Sequence, residues 1–262
     1  MMGETNKIPE PAKPKPAATI ILMRDGGEGL EVLMLKKAHG QHFAAGAMVF
    51  PGGKLDPKDV AFVEANGDKE DAHAALKVAA IREMYEECGI LLARVAGSER
   101  VMPSTEAAEI RTANADGAIL DLAASAPFAL ATDRLVRFAH WITPATRPKR
   151  FDTHFFIAPA PDDHTKPDVD GYEIVDANWR RPQDVLDDVH GGKLTLVFPT
   201  MMNIIKLSKS ESVDEALAKY RNEDVFCVEP KRIETDEGSQ LVIPAEAGYG
   251  VTTVPQEFLR SS

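Results

Sequence analysis

The run Arg82-Glu83-Met84-Tyr85-Glu86-Glu87-Cys88-Gly89-Ile90 constrains this chain more than any other segment. Wound as a helix at about 100° per residue, it gathers Glu83, Glu86 and Glu87 into an arc about 100° wide. Val78, Ile81, Met84 and Cys88 then form an apolar stripe on the opposite side. Such a helix must lay its stripe on a core while holding three carboxylates together at its edge. Glu83 and Glu87 are a like-charge i,i+4 pair, which costs an isolated helix roughly 0.2–0.5 kcal/mol, and Arg82 relieves part of this through Glu86 at i+4. A divalent cation would relieve the rest. Hard ions such as Mg²⁺ take one or two carboxylates and fill their remaining positions with water and phosphate oxygens, so the cluster points to phosphate-bond chemistry. In a chain with 41 acidic and 30 basic residues, a solvated acidic helix face is the competing explanation.

A second motif, Phe50-Pro51-Gly52-Gly53, lies upstream. Its glycines suit either a backbone that approaches a phosphate closely or a plain tight turn. Gly89, after the glutamates, reads as a helix C-cap.

In order and composition these two motifs resemble the Nudix box. Its second half runs arginine, glutamate, apolar, any, glutamate, glutamate, any, glycine, apolar, and every fixed position is met by Arg82 to Ile90. Five specified letters and two apolar slots arise by chance in a chain this long on the order of once in ten thousand. The spacing departs from the family: Gly53 and Arg82 stand about twice as far apart as expected. Counted forward from Gly53, the box's first glutamate falls on Asp59; counted back from Arg82, it falls on Ala74. Asp59, Asp56 and Glu64 are the candidate replacements, each otherwise explained as an exposed loop or helix charge. A split box of this kind resembles the branch containing the peroxisomal coenzyme A diphosphatases. Further matches are Arg137 to Pro144, Arg150 to Phe156, and Glu173 ahead of Trp179, so the resemblance covers most of residues 17–250.

The resemblance implies metal-dependent hydrolysis of a diphosphate linkage in a small nucleoside diphosphate derivative, with Mg²⁺ or Mn²⁺ as cofactor. It implies Glu83 and Glu87 as inner-sphere metal ligands, Glu86 as a third ligand or the base that orients water, and Arg82 as the residue holding the glutamates. Gly52 and Gly53 would lie against the bound group. Glu173 is a further candidate base, with an edge charge as the alternative. Coenzyme A or acyl-coenzyme A is the suggested substrate, although the arginine of the family's coenzyme A motif falls on His42 here. Lys36, Lys37 or His42 would then have to contact a 3′-phosphate. The alternative function is a Nudix-type sensor or interaction module that binds a nucleotide metabolite without turnover; the alanine at position 74 favours it, and the three intact glutamates oppose it.

The formal charge of −11 argues against a nucleic-acid backbone as partner. It is compatible with a phosphorylated small molecule, because a bound metal reverses the local field. No apolar run reaches eighteen residues, which predicts no membrane span, and the N-terminus lacks the order of a signal peptide. The sequence ends Leu-Arg-Ser-Ser rather than in a peroxisomal address, so cytoplasmic residence is expected. Cys88 and Cys227 offer no disulfide framework, and Cys88 on the apolar stripe reads as core. The histidines show no metal-ligand spacing; His154, beside Phe155 and Phe156, is the one to consider for a substrate contact. Arg150 and Asp152 read either as substrate contacts or as an ion pair framing Phe151. Trp141 and Trp179 read as core.

Strands interleaved with helices predict an α/β/α sandwich with a mixed sheet plus helical insertions, the same architecture that the resemblance implies. Residues 1–16, rich in proline and lysine, are expected to be a disordered lead-in, 17–250 a single domain with insertions at about 57–77 and 98–135, and 251–262 a tail. Expected strands are 18–23, 30–36, 48–50, 90–93, 135–142, 153–158 and 173–179. The 98–135 segment reads as helical from Ser104, serving packing, a lid, or the surface of a homodimer. A helix is expected at 182–188, another opening at 199 and extending toward 220, and a hairpin between 226–230 and 241–243.

Overall fold

In the computed structural model, residues 11–40, 44–66, 69–113, 118–125, 128–162, 166–169, 171–236 and 238–255 are described. The first strand, β1 (Lys15–Gly26), is followed across a glycine turn by β2 (Gly29–Lys37), then by β3 (Met48–Val49) and β4 (Gly52–Lys54). Ala18, Ile20 and Leu22 of β1 point to one side of the sheet and Ile21 and Met23 to the other. Being apolar on both faces is what a central strand requires. Two helices follow, α1 (Pro57–Asn66) and α2 (Ala74–Cys88), then β5 (Ala93–Val95), α3 (Ser104–Ala113), α4 (Ile119–Ser125) and β6 (Phe128–Leu130). The chain returns to the sheet with β7 (Val136–Ile142), β8 (Phe151–Pro159) and β9 (Ile174–Arg180). It continues through α5 (Pro182–His190), α6 (Phe198–Leu207) and α7 (Val213–Arg221) to β10 (Cys227–Val228), β11 (Lys231–Thr235), β12 (Gly238–Val242) and β13 (Thr253–Pro255).

The main sheet is mixed and runs β10-β7-β8-β1-β2-β3, with β4 also on β1 and β9 also on β2. Strand β1 pairs parallel with β8 and antiparallel with β2 and β4. Helix α2 covers one face: Val78, Ile81, Met84 and Cys88 are each no more than 2% exposed and join Leu33, Leu35 and Phe156 in one core. Burying each large side chain contributes roughly 1.5–3 kcal/mol. Met202, Ile204 and Leu207 of α6 cover the opposite face with Ile21, Val32 and Phe138. The result is the expected α/β/α sandwich.

Several expectations need correction. Strand β1 begins at Lys15, inside the stretch expected to be disordered, because β8 pairs with it from Phe151 onward. Residues 90–92 are buried but lie outside any strand; the strand starts at Ala93 and pairs with β6, so the 98–135 segment is only partly helical. The helix expected to run on from 199 stops at Leu207 and restarts at Val213. Ser212 forces the break by capping α7, its side chain accepting from the Glu215 amide. The terminal hairpin joins β11 to β12, whereas Cys227 and Val228 instead extend the main sheet alongside β7. No helix among the described residues is long and apolar enough to cross a membrane.

Candidate active site

The site is built where α2 passes over β4. Arg82 lies at its centre, and all five of its guanidinium N–H donors have partners. Nε and Nη2 donate to the two oxygens of Asp59 at 2.8 and 2.9 Å, and Nη2 also donates to the Lys54 carbonyl at 3.0 Å. Nη1 donates to Glu83 and to Glu86, each at 2.9 Å. Burial works against the charge on Arg82, but Asp59 and Glu83 outweigh it and raise its pKa above the ordinary value. The planar fork of arginine matches a bidentate carboxylate, a geometry lysine cannot reproduce.

Of the three carboxylates proposed from sequence to replace the box glutamate, Asp59 alone pairs with Arg82. It is fully buried in the first turn of α1, where it also accepts from the Asp56 amide at 2.8 Å. Asp56 caps the same helix through the Lys58 amide, and Glu64 is exposed. Helix α1 therefore does more than fill an insertion: it delivers Asp59 to Arg82 from 23 residues upstream. Ala74, the other counted position, begins α2 and is buried.

The glutamates meet different surroundings. Glu86 is 49% exposed, whereas Glu83 and Glu87 are 19% and 10% exposed. Glu87 accepts from the Gly52 amide at 2.9 Å, and its other oxygen lies 4.0 Å from Lys37 Nζ. Burial pushes its carboxyl up to about 8, with the Gly52 amide and Lys37 pulling down and Glu83 and Glu173 pushing further up. Burial also raises Glu83, against the pull of Arg82. Lys37 reaches Glu173 as well, at 3.2 Å, so Glu173, just ahead of β9, stands at the edge of this charge group.

The glycines explain how close the layers come. A Cβ on Gly53 would meet the Glu83 carboxylate at 2.4 Å, and one on Gly52 would meet the Ala18 carbonyl at 2.5 Å. Any side chain there would push Glu83 away or part β4 from β1. Gly89 caps α2 in the left-handed region at φ 70°, as expected.

A metal ion fits these residues in charge and donor type. Two half-buried or buried carboxylates share one edge of α2, Glu87 is undercompensated, and hard cations need only one or two such ligands. The three glutamates do not form a tight ligand group. Among the described residues, the compact set of potential ligands is His140, Asp152 and His154, whose ligand atoms all lie within 4.8 Å of one another.

That set was not legible from linear spacing, because it assembles across strands: His140 sits opposite His154 in the β7–β8 register, and Asp152 shares the face of His154 two residues away. The i,i+2 pattern of Asp152 and His154 was the available signal. Asp152 pairs with His140 rather than with Arg150, whose guanidinium instead binds Glu229 at 2.6 Å. The Arg150–Asp152 ion pair, one of the two readings of these residues, therefore does not form. Trp141 is buried and donates to Tyr249 at 2.9 Å, and Cys88 is buried with its thiol pushed up to about 12. His42 lies outside the described residues.

Residues 62–207 match the model of the NUDT19 Nudix domain, which is more than half of the chain. This chain belongs to the Nudix family. It is 29% identical over 201 residues to a Caenorhabditis elegans protein provisionally named nudix hydrolase 7, covering 76% of this chain and 63% of that one. It is 23% identical over 184 residues to the chicken acyl-coenzyme A diphosphatase NUDT19, covering 63% of this chain and 49% of that one. The chain thus spans less than two thirds of the length of either curated relative. The crystal structure of a Nudix hydrolase from Alicyclobacillus acidocaldarius superposes with a TM-score of 0.65 and 29% identity, covering 79% of this chain and 96% of that one.

Proposed function

We propose that this Nudix protein hydrolyses a diphosphate linkage in a nucleoside diphosphate derivative with the help of Mg²⁺ or Mn²⁺ held by Glu83 and Glu87, with Glu86 as a further ligand. The observation that carries this reading is Glu87, a largely buried carboxylate beside Glu83 whose own partners do not offset its burial. When bound, such an ion neutralises the diphosphate, polarises the phosphorus under attack and lowers the pKa of bound water.

The residues of the chain have separable tasks. Asp59 fixes Arg82, and Arg82 fixes Glu83 and Glu86 in one orientation, so the carboxylates are positioned before substrate arrives. The Gly52–Gly53 turn leaves room for a phosphate to approach α2. Glu173 is the proton acceptor in this reading, with Lys37 orienting it, and Glu86 is the alternative base.

Coenzyme A or acyl-coenzyme A is the substrate class supported by the match to the NUDT19 domain and by the name of the chicken relative. Lys37 is engaged with Glu173 and Glu87, which leaves Lys36 as the lysine for a 3′-phosphate. The Asp59–Arg82 pair supports turnover over the sensor reading, since the function of the box glutamate has a replacement. A single domain from Lys15 to about residue 250, in a cytoplasmic protein, completes the proposal, with the 98–135 segment serving packing, a lid or the surface of a homodimer.

The test is hydrolysis of coenzyme A, acyl-coenzyme A, NADH, ADP-ribose and nucleoside triphosphates with Mg²⁺ or Mn²⁺, comparing wild type with Glu86→Gln. Metal-dependent cleavage of the coenzyme A diphosphate, lost in the variant, is expected. Tight binding of one compound without turnover of any would replace the reading with the sensor.

A further inference from the structure

The β7–β8 face beneath the start of α2 carries a second concentration of chemistry. His140 and His154 stack with ring centroids 4.0 Å apart and planes 19° from parallel. His140 Nε2 lies 2.5 Å from Asp152 Oδ1, and His154 Nε2 lies 3.8 Å from the same oxygen. Cys227 Sγ, from the neighbouring strand β10, is 4.0 Å from His140 Nε2. His73, just ahead of α2, packs its ring 5.3 Å from that of His154. As His73 precedes Glu83 by ten residues, the cluster sits about 15 Å along the helix axis from the glutamates.

His154 is the anomalous member. Its Nδ1 is buried without a hydrogen-bond partner among the described residues, and its Nε2 is beyond hydrogen-bond range of Asp152. Proteins rarely leave buried polar atoms unsatisfied, and an ordered water or a bound ion is among the few explanations.

We propose that His140, Asp152 and His154, with Cys227 at the rim, form a metal site of their own, distinct from the glutamate helix and suited to Zn²⁺ or a similar borderline transition ion. Two imidazoles, a carboxylate and a thiol are the donor types such ions select, whereas Mg²⁺ prefers oxygen alone. Tetrahedral zinc with Zn–N near 2.0 Å and Zn–S near 2.3 Å sets its ligand atoms about 3.3–3.6 Å apart. The separations of 2.5 and 3.8 Å to Asp152 lie on either side of that range, and the ligand atoms of His140, Asp152 and His154 all fall within 4.8 Å of one another, so these three converge on one ion while Cys227, 4.0 Å from His140 but outside that compact group, joins from the rim. Arg137, on the same face, opposes a cation.

Calorimetric titration of the full chain with Zn²⁺, and the absorption spectrum with Co²⁺ as a probe, test the site without reference to hydrolysis. One Zn²⁺ is expected to bind with undiminished affinity in Glu83→Gln/Glu87→Gln and at least about tenfold more weakly in His154→Gln and Asp152→Asn, each checked for native circular dichroism. Co²⁺ is expected to give tetrahedral bands with a sulfur charge-transfer band that Cys227→Ser removes. Retention of full Zn²⁺ affinity in folded His154→Gln, loss of Zn²⁺ binding in the glutamate double variant, or an octahedral Co²⁺ spectrum unchanged by Cys227→Ser would each overturn the proposal. Because Glu83 and Glu87 stay intact in the histidine variant, loss of zinc there and loss of hydrolysis in the glutamate variants are separate results.

Discussion

Arg82 and Glu87 stand five residues apart on one helix, yet their surroundings contrast. Every donor of Arg82 has a partner, and the carboxylates around it outweigh the cost of its burial. Glu87 is comparably buried, but one amide and a distant lysine leave its negative charge undercompensated. One half of the site is electrostatically finished and the other is not. The finished half holds the geometry, and the unfinished half is where a cation lowers the free energy most.

Removing the partner that finishes Arg82 is the most damaging way to break this contrast. Asp59→Ala leaves a buried guanidinium without its bidentate acceptor and is expected to cost about 3–5 kcal/mol in denaturant unfolding. Asp59→Glu, which restores the residue type of the family's box, should recover part of that loss. A neutral Asp59→Ala would mean that the pair is incidental.

On the unfinished side, Glu87→Gln and Glu173→Gln are expected to lower kcat by about a hundredfold or more, the first because it removes the proposed metal ligand and the second because it removes the proposed base. Glu87→Gln should leave folding stability unchanged or higher, because it removes a buried charge. The pH dependence has the same origin. The Glu87 carboxyl sits at about 8 in the fold against an ordinary 4.5, so between those values the folded state binds more protons than the unfolded one. Its contribution to the stability of the metal-free protein therefore falls as pH rises from about 4.5 to about 8. Thermal melts with and without Mn²⁺ check this, and the ion should stabilise most at the upper end. The smallest effect is expected at exposed Glu86: Glu86→Gln should shift stability by less than about 1 kcal/mol while still impairing turnover.

Local periodicity made the helix of Glu83, Glu86 and Glu87, its buried stripe and its glycine cap readable, because each depends only on residues within a few turns. The identity of Asp59 as the partner of Arg82 was narrowed to three candidates and no further. Distinguishing it from Asp56 and Glu64 required knowing how α1 packs on α2, a tertiary fact. Lys37 joining Glu87 to Glu173, and His140 meeting Asp152 and His154, depend on strand register, which linear spacing does not encode. The misplaced terminal hairpin has the same cause. Cys227 and Val228 look like one arm of a hairpin until β7 supplies a parallel edge for them.

Mn²⁺ binding to the metal-free protein, measured by calorimetry at pH 8 for wild type and Glu87→Gln alongside diphosphate hydrolysis by both, tests the claim that a cation completes this site. Wild type is expected to bind Mn²⁺ and turn over substrate, and Glu87→Gln to fold normally but lose at least about tenfold in affinity together with its turnover. Equal Mn²⁺ affinity in the two proteins, or hydrolysis that persists in Glu87→Gln or without any divalent ion, would contradict it.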